Sequence, residues 1–353
     1  MRIAAWPAFE NREVNPYNWL LYTALKANQG VEVIEARLLL KKPRRVDILH
    51  LHWPESPLNR DALGFLKGTA FLLYLVFLTK LWGGKVVWTV HNTRPHEGRM
   101  PRVFQRALYK FLGWVVDGVI FLSNASRKRA FSENHMRYFL HKPSAIIPHG
   151  HYRDVYPPLL AKSEARNRLG LQGAKAVVLF LGQIRPYKGV DQLLRVFRNL
   201  EGEDIRLVVA GRPSSPGDAA RLEELRQKDN RITLILRFLP ADEVSLFLSA
   251  ADILVLPYTD ITNSGSALLG LSFGVPVLAP RLGSLVELEE WIPELVHLYD
   301  PPLSEASLRD ALDRFIGCDV SEEAMQRVAL LFDWASIAAK TLEFMNSLLG
   351  KKE

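Results

Sequence analysis

The sequence predicts an α/β protein of two domains, each built on a parallel sheet. Short apolar runs alternate with stretches of helical periodicity joined by brief loops, the pattern of parallel strands with right-handed crossovers. At 353 residues and 48% hydrophobic content the chain can fill two cores of ordinary size. The stretch Leu254 to Pro280, LVLPYTDITNSGSALLGLSFGVPVLAP, reads as a buried strand, a polar turn, a short apolar helix and a second buried strand. Thr262 to Ser266 cluster ahead of Ala267, Leu268, Leu269 and Leu271, a helix start whose unpaired N–H groups favour an anion.

In chain order, Arg2 to Trp6 is a strand and Pro16 to Ala27 a helix with Trp19, Leu20, Tyr22 and Leu25 on its apolar face. Val31 to Ile34 and Val46 to Leu51 are strands, the second running into His50, His52, Trp53 and Glu55. Phe65 to Trp82 is the most apolar segment; its unbroken core is shorter than the ~20 residues a spanning helix needs, and Lys67 and Lys80 bracket it. It is expected to be a helix that is buried in the first domain or lies against a membrane interface, burial being the favoured of the two. Lys85 to Val90 is a strand whose carboxyl end carries His91, Asn92, Thr93, Arg94, His96 and Glu97, where an open α/β sheet places a ligand site. Ala107 to Leu112 is helical, Val119 to Leu122 a strand, Ser123 or Asn124 a helix cap, and Ala145 to Pro148 a strand before His149. Pro157, Pro158 and the polar residues up to Gly170 form the expected linker.

The second half alternates more cleanly. Strands are expected at Ala176–Leu181, Arg206–Ala210 and Ile232–Leu236, and helices at Val190–Phe197 and Ala219–Gln227. The closing helices, Ser307–Phe315, Glu322–Phe332 and Trp334–Leu349, are expected to follow no further strong strand.

Charge divides unevenly between the halves. Residues 1–160 hold 23 Lys/Arg and 11 Asp/Glu, a net of +12, and the remainder 22 against 27, a net of −5. A basic first half suits an anionic partner such as a phosphorylated acceptor or an acidic membrane surface. The single cysteine, Cys318, excludes a disulfide framework and a cysteine zinc cluster and fits a reducing compartment. The opening MRIAAWPAFENREV has no secretory h-region, so a cytoplasmic protein is expected.

Parallel topology brings four loops of the second half to one sheet edge: Gly182–Gly189 (GQIRPYKG), Gly211–Pro213, Arg237–Pro240 and Tyr258–Ser266. They supply the cations Arg185, Lys188 and Arg212, a helix N-terminus with Asn263, Ser264, Gly265 and Ser266, and a loop at Arg237 and Phe238 suited to a flat base. Paired cations, backbone amides and a slot are what a nucleoside diphosphate requires.

The order GQIRPYKG, VVAGRP, RFLPADEVSLFLSAADILVLPY and NSGSALLGLSFGVPVLAP resembles the donor domain of GT-B fold glycosyltransferases, and KVVWTVHN, VIFLSNASRKRAF and IIPHGHY fit its first domain. The resemblance implies two Rossmann-like domains facing across a cleft, with the ending FDWASIAAKTLEFMNSLL crossing back to the first. It divides the chain into a basic acceptor domain over 1–160, a donor domain over 170–330 and the returning helix over 331–353. The implied activity is metal-independent transfer of a hexose from a GDP- or UDP-sugar to a saccharide or lipid-linked acceptor. No cofactor or metal site is expected, and no Asp-x-Asp pair occurs. Lys188 matches the family's pyrophosphate lysine. Gln183 stands where an arginine is usual, leaving Arg185 to serve, and the paired glutamates of many retaining members are replaced by Ile261 and Leu269. That departure resembles a divergent branch of bacterial exopolysaccharide and lipid-linked sugar assembly.

His91 matches a histidine that faces the donor sugar in relatives; as an imidazole it could hydrogen-bond a hydroxyl or act as base. Glu97, His96 and Glu13 are the other candidate bases, while His50, His52, His149 and His151 read as loop or packing residues. A sugar-nucleotide epimerase of the same architecture and a non-catalytic nucleotide-sugar binder are the alternatives. Nucleic acid is not an expected partner, because the basic residues are interleaved with buried strands and form no recognition motif. The basic first half and the Phe65–Trp82 segment together suggest peripheral association with an anionic membrane on its inner face.

Overall fold

The computed structural model describes residues 1–13, 15–92 and 100–350. The chain forms two compact units, Met1–Gly150 with Phe332–Glu353, and His151–Leu331.

The first unit holds β1 (Arg2–Trp6), α1 (Tyr17–Lys26), β2 (Glu32–Glu35), α2 (Leu38–Lys41), β3 (Ile48–Leu51) and α3 (Ala62–Leu81). It continues with β4 (Lys85–Val90), α4 (Arg102–Val115), β5 (Gly118–Phe121), α5 (Asn124–Ser132) and β6 (Ser144–Ile146). These strands form one parallel sheet in the order β2-β1-β3-β4-β5-β6. The order reverses beside β1 and β3, where the carboxyl ends of neighbouring strands leave a crevice. Ser123 caps α5 and exchanges side-chain and backbone hydrogen bonds with Ser126, so the cap signal is local to the sequence.

The second unit comprises α6 (Lys162–Arg168), β7 (Ala176–Leu181), α7 (Val190–Asn199), β8 (Ile205–Ala210), α8 (Pro216–Arg226) and β9 (Ile232–Ile235). Then come α9 (Ala241–Ala250), β10 (Ile253–Val255), α10 (Gly265–Ser272), β11 (Val277–Pro280), α11 (Leu285–Trp291), β12 (Val296–Tyr299), α12 (Glu305–Phe315) and α13 (Glu322–Leu331). Its parallel sheet has the order β12-β11-β10-β7-β8-β9, so β7, every residue of which is buried, sits at the switch point between β8 and β10.

The last helix, α14 (Trp334–Leu348), returns to the first unit and packs on α1. Two glycines mark its contact. A Cβ at Gly118 would meet Leu348 and Phe344 at 2.6 and 2.8 Å, and one at Gly150 would strike the Trp334 indole at 2.3 Å.

Three expectations are corrected. The segment expected to be a linker contains α6, whose Arg166 pairs with the buried Asp252 and donates to the carbonyls of Ala250 and Ala174; these bonds tie it into the second unit. A strand, β12, precedes the closing helices and pairs with β11 through Val277↔Val296 to Pro280↔Tyr299. The apolar helix α3 is not a buried core helix. Leu72, Leu75, Val76 and Leu78 pack inward, while Leu63 (58%), Leu66 (63%), Phe77 (63%) and Leu81 (62%) are exposed. Apolar residues all round the helix conceal from the sequence which face is covered.

Candidate functional site

In the second unit the loops after β7, β8 and β10 are laced together by their backbones. Ile184 N–H donates to Arg212 O (2.9 Å) and Ser214 N–H to Ile184 O (3.0 Å), while Thr259 N–H donates to Tyr187 O (2.8 Å). Glycines permit this approach. A Cβ at Gly211 would lie 1.8 Å from the Gly182 carbonyl oxygen, and one at Gly189, whose φ is +66°, 1.9 Å from that of Pro257.

At the centre, a Cβ at Gly182 would come within 3.1 Å of Ser266 Oγ and 3.4 Å of Lys188 Nζ. The lysine ammonium and the opening of α10 therefore bracket one point on one face of the sheet. Ser264 caps α10 by accepting from Ala267 N–H (3.1 Å), and Ser266 Oγ donates to Leu181 O (3.2 Å). Tyr258 is buried, in hydroxyl contact with Ser266 and Ser264; burial pushes its phenol pKa up, and its ring lies 5.5 Å from Lys188 Nζ. Lys188 makes no side-chain hydrogen bond or ion pair among the described residues, and burial, with Arg185's charge adding to it, holds its pKa below the usual lysine value. An ammonium so placed attracts an anion, and the amides opening α10 add to it.

Of the other predicted donor-side residues, Arg185 and Asn263 are half-buried and Arg212 is exposed beside the β7 loop. Gly265 lies under Tyr152, whose hydroxyl would be 3.0 Å from a Cβ there; Tyr152 carries no signal in the sequence. Arg237 forks its guanidinium onto Glu243 (3.1 and 2.6 Å), a pairing the sequence did not indicate, and its side chain stays 55% exposed. Phe238 beside it is 54% exposed and retains an open ring.

In the first unit, the carboxyl ends of β3 and β4 and the segment after β6 bring His52, His91 and His149 together with α1 and α14. The Tyr17 ring lies 4.9 Å from His91, 4.6 Å from His149 and 5.6 Å from Trp334, and His91 stacks on Trp53 at 4.4 Å. Tyr22 Oη contacts His50 Nδ1 (2.9 Å) and His52 Nε2, His50 Nε2 contacts Thr89 Oγ1 (2.8 Å), and His52 Nδ1 contacts His91 Nε2 (3.0 Å). Burial drives every one of these imidazoles toward the neutral form: His50 to about 3, His149 to about 4, and His52 and His91 well below the ordinary value.

His50 and His52 are buried, as packing residues are, and both also belong to a hydrogen-bonded chain that ends on His91. Their i, i+2 spacing, which puts both on one face of a strand, was the available signal. Tyr17, Tyr22, Thr89 and Trp334 carry none, since they come from other elements. Glu13 is exposed on the loop after β1 and makes no ion pair or hydrogen bond with His91. Glu97 and His96 lie outside the described residues. Among the described residues no group of three or more His, Cys, Asp or Glu side chains is arranged to hold a metal ion.

Comparison with known proteins places this geometry. Residues 161–328 match the family model "Glycosyl transferases group 1". The chain is 33% identical over 307 residues to GDP-mannose:glycolipid 4-beta-D-mannosyltransferase of Xanthomonas campestris pv. campestris, covering 86% of this chain and 81% of that one. It is 27% identical over 331 residues to D-inositol 3-phosphate glycosyltransferase of Thermobispora bispora, covering 88% and 72%. Among solved structures it resembles sucrose-phosphate synthase of Thermosynechococcus elongatus (TM-score 0.73, 18% identity, all of both chains). It also resembles Anabaena HepE in complex with UDP and glucose (TM-score 0.69, 15% identity, 98% and 99% of the two chains).

Proposed function

The chain belongs to the GT-B glycosyltransferases of group 1, and on that premise we propose that it transfers mannose from GDP-mannose to the saccharide of a lipid-linked acceptor. The observation that carries the donor half is Lys188: a cation without an anionic partner among the described residues, set beside Gly182 and Ser266 at the switch point of the second sheet. The acceptor hydroxyl oxygen bonds to the anomeric carbon as the bond from that carbon to the diphosphate breaks, the hydroxyl proton passes to an oxygen of the departing diphosphate, and GDP leaves. Its growing negative charge is taken by Lys188, Arg185 and the amides opening α10, so no metal ion is assigned to the step. Guanine is assigned to the open face of Phe238, and the ribose to the region of Asn263 and Ser264. The choice of GDP-mannose and of a glycolipid acceptor is supported by the name of the Xanthomonas relative.

Acceptor recognition is assigned to the basic first unit, which reaches its lipid-linked substrate by resting on an anionic membrane from the cytoplasmic side. The exposed Leu63, Leu66, Phe77 and Leu81 of α3 and Leu38 and Leu40 of α2, near the exposed Lys41, Lys42 and Arg45, support this. Bacterial exopolysaccharide assembly is the setting that fits such a substrate.

A thermal-shift panel tests the donor. GDP and GDP-mannose at 100 times Kd should stabilise the second unit by about 2.7 kcal/mol, with UDP and ADP giving little. Added glycolipid should then release GDP stoichiometrically with product. Stabilisation by no guanosine nucleotide would overturn the donor assignment, and conversion of the sugar nucleotide without acceptor would favour the epimerase.

A further inference from the structure

We propose that Thr89, His50, Tyr22 and His52 form a one-directional hydrogen-bond relay that holds His91 as the tautomer protonated on Nδ1, so that His91 serves as a hydrogen-bond donor and not as a base. This deepens the glycosyl-transfer reading and rests on it for its catalytic meaning, though not for the assignment itself.

Five side chains meet in four successive contacts: Thr89 Oγ1 with His50 Nε2, His50 Nδ1 with Tyr22 Oη, Tyr22 Oη with His52 Nε2, and His52 Nδ1 with His91 Nε2. Thr89, His50, Tyr22 and His52 are buried to 0% exposure, and these are all the side-chain hydrogen bonds the four make among the described residues. A neutral imidazole has one N–H and one bare nitrogen, and a hydroxyl has one proton. Each contact needs one proton, which allows three arrangements: two run one way throughout, and in the third Tyr22 Oη accepts from both His50 and His52 and buries its own O–H unpaired, since it has no further acceptor among the described residues.

In one, Thr89 donates to His50, His50 to Tyr22, Tyr22 to His52 and His52 to His91. The fifth proton then sits on His91 Nδ1. In the reverse, His91 Nε2–H donates inward and the spare proton is that of the Thr89 hydroxyl. Thr89 has no second acceptor among the described residues, so the reverse buries an unpaired O–H in the sheet. That disfavours it by about tenfold or more. Burial of the imidazoles, which keeps them neutral, excludes a doubly protonated link. In the favoured direction His91 Nε2 is already occupied by the His52 N–H and Nδ1 carries hydrogen. His91 can take an acceptor proton only if His52 also changes tautomer and the Tyr22 or Thr89 O–H is left buried without an acceptor. Trp53, stacked on the His91 ring, and Tyr17, against its edge, hold the plane in which it donates.

Ring-nitrogen NMR of the full chain labelled with 15N-histidine reads the tautomer directly, with His91→Gln assigning the signal. Wild type should show Nδ1 protonated and Nε2 bare at His91. Thr89→Val keeps the β-branched shape but removes the hydroxyl, and should move the His91 tautomer ratio about tenfold toward equality, whereas Thr89→Ser should keep the wild-type signal. Tyr22→Phe should disconnect the ends, so that adding Thr89→Val to it leaves His91 unchanged. A bare Nδ1 at His91 in the wild type overturns the proposal without any variant, as does a His91 signal indifferent to Thr89→Val alone. Turnover is read separately: loss of transfer in every protein, wild type included, would refute the glycosyl-transfer reading and leave the tautomer result standing.

Discussion

At the scale of single residues, Lys188 is the group whose environment is hardest to explain without a ligand. Its ammonium has a tyrosine ring for a neighbour and no paired carboxylate among the described residues, and such a group costs stability until an anion arrives. Replacing it by methionine should therefore act in opposite directions on two measurements. Lys188→Met should raise the melting temperature of the unliganded protein by about 2–4 °C for each kcal/mol recovered. It should weaken GDP binding by about 10- to 100-fold, the worth of a charge-assisted hydrogen bond. Differential scanning fluorimetry with and without GDP checks both, and an unliganded protein that melts lower would contradict the burial argument. Lys188 was legible in the sequence because a Lys-Gly turn opening a helix after a buried strand is a local pattern. The forked pairing of Arg237 with Glu243 was not, since six residues apart across a loop and a helix start they have no fixed separation.

Among the elements, α3 combines a packed and an open face. Leu72, Leu75 and Leu78 settle into the first core, and Leu63, Leu66, Phe77 and Leu81 remain uncovered. By length and composition this helix could cross a bilayer, yet its inward residues belong to a sheet-backed core. A helix anchored in that way can lie on a membrane but not leave the unit to span one. Flotation with vesicles containing anionic lipid should bring the protein to the top at low salt and leave it behind at high salt. Leu66→Glu with Phe77→Glu should abolish co-migration, because two carboxylates would enter the apolar interface. Flotation unchanged by the double substitution would refute α3 as the contact. The helical nature of this segment was plain from its apolar run, but its open face depends on which side meets β3 and β4.

At the scale of the whole molecule, the two units should answer acid differently. Histidines held neutral in the fold have folded pKa values below the unfolded value of about 6.5. Between those values the unfolded chain binds more protons, so stability falls as pH drops through that window. His50, held at about 3, should cost roughly 2 kcal/mol between pH 6.5 and 5, and His52, His91 and His149 shift in the same sense. Glu55 works the other way: burial raises it to about 8, so it favours the fold below about 4.3 and loses that contribution as pH rises through 8. It offsets roughly one histidine. All five groups lie in the first unit. In the second, Asp218, held low by Ser214 and Ser215, and Asp229, held low by Arg231, begin to matter only below about pH 4. Trp291 is the one tryptophan of the second unit, so tryptophan fluorescence follows the first. Acid titration should shift fluorescence between pH 6.5 and 4 while much of the far-ultraviolet dichroism survives; coincident transitions would refute the division.

The sequence by itself determined the fold class, the alternation within each sheet, and the loops after β7, β8 and β10 that come together near Lys188. These follow from apolar periodicity, glycine positions and helix-start residues, all of which act over a few neighbours, whereas the return of the last helix was implied by the family resemblance. Tertiary structure alone decided which face of α3 is covered, that α6 binds the second unit through Asp252, and that Tyr22, His50, His52, Thr89 and His91 form one chain of contacts. Those residues come from α1, β3, the turn after it, β4 and the residue beyond. A proton's direction among them depends on strand register and on the absence of a second acceptor at Thr89, quantities that exist only once distant parts of the chain have packed.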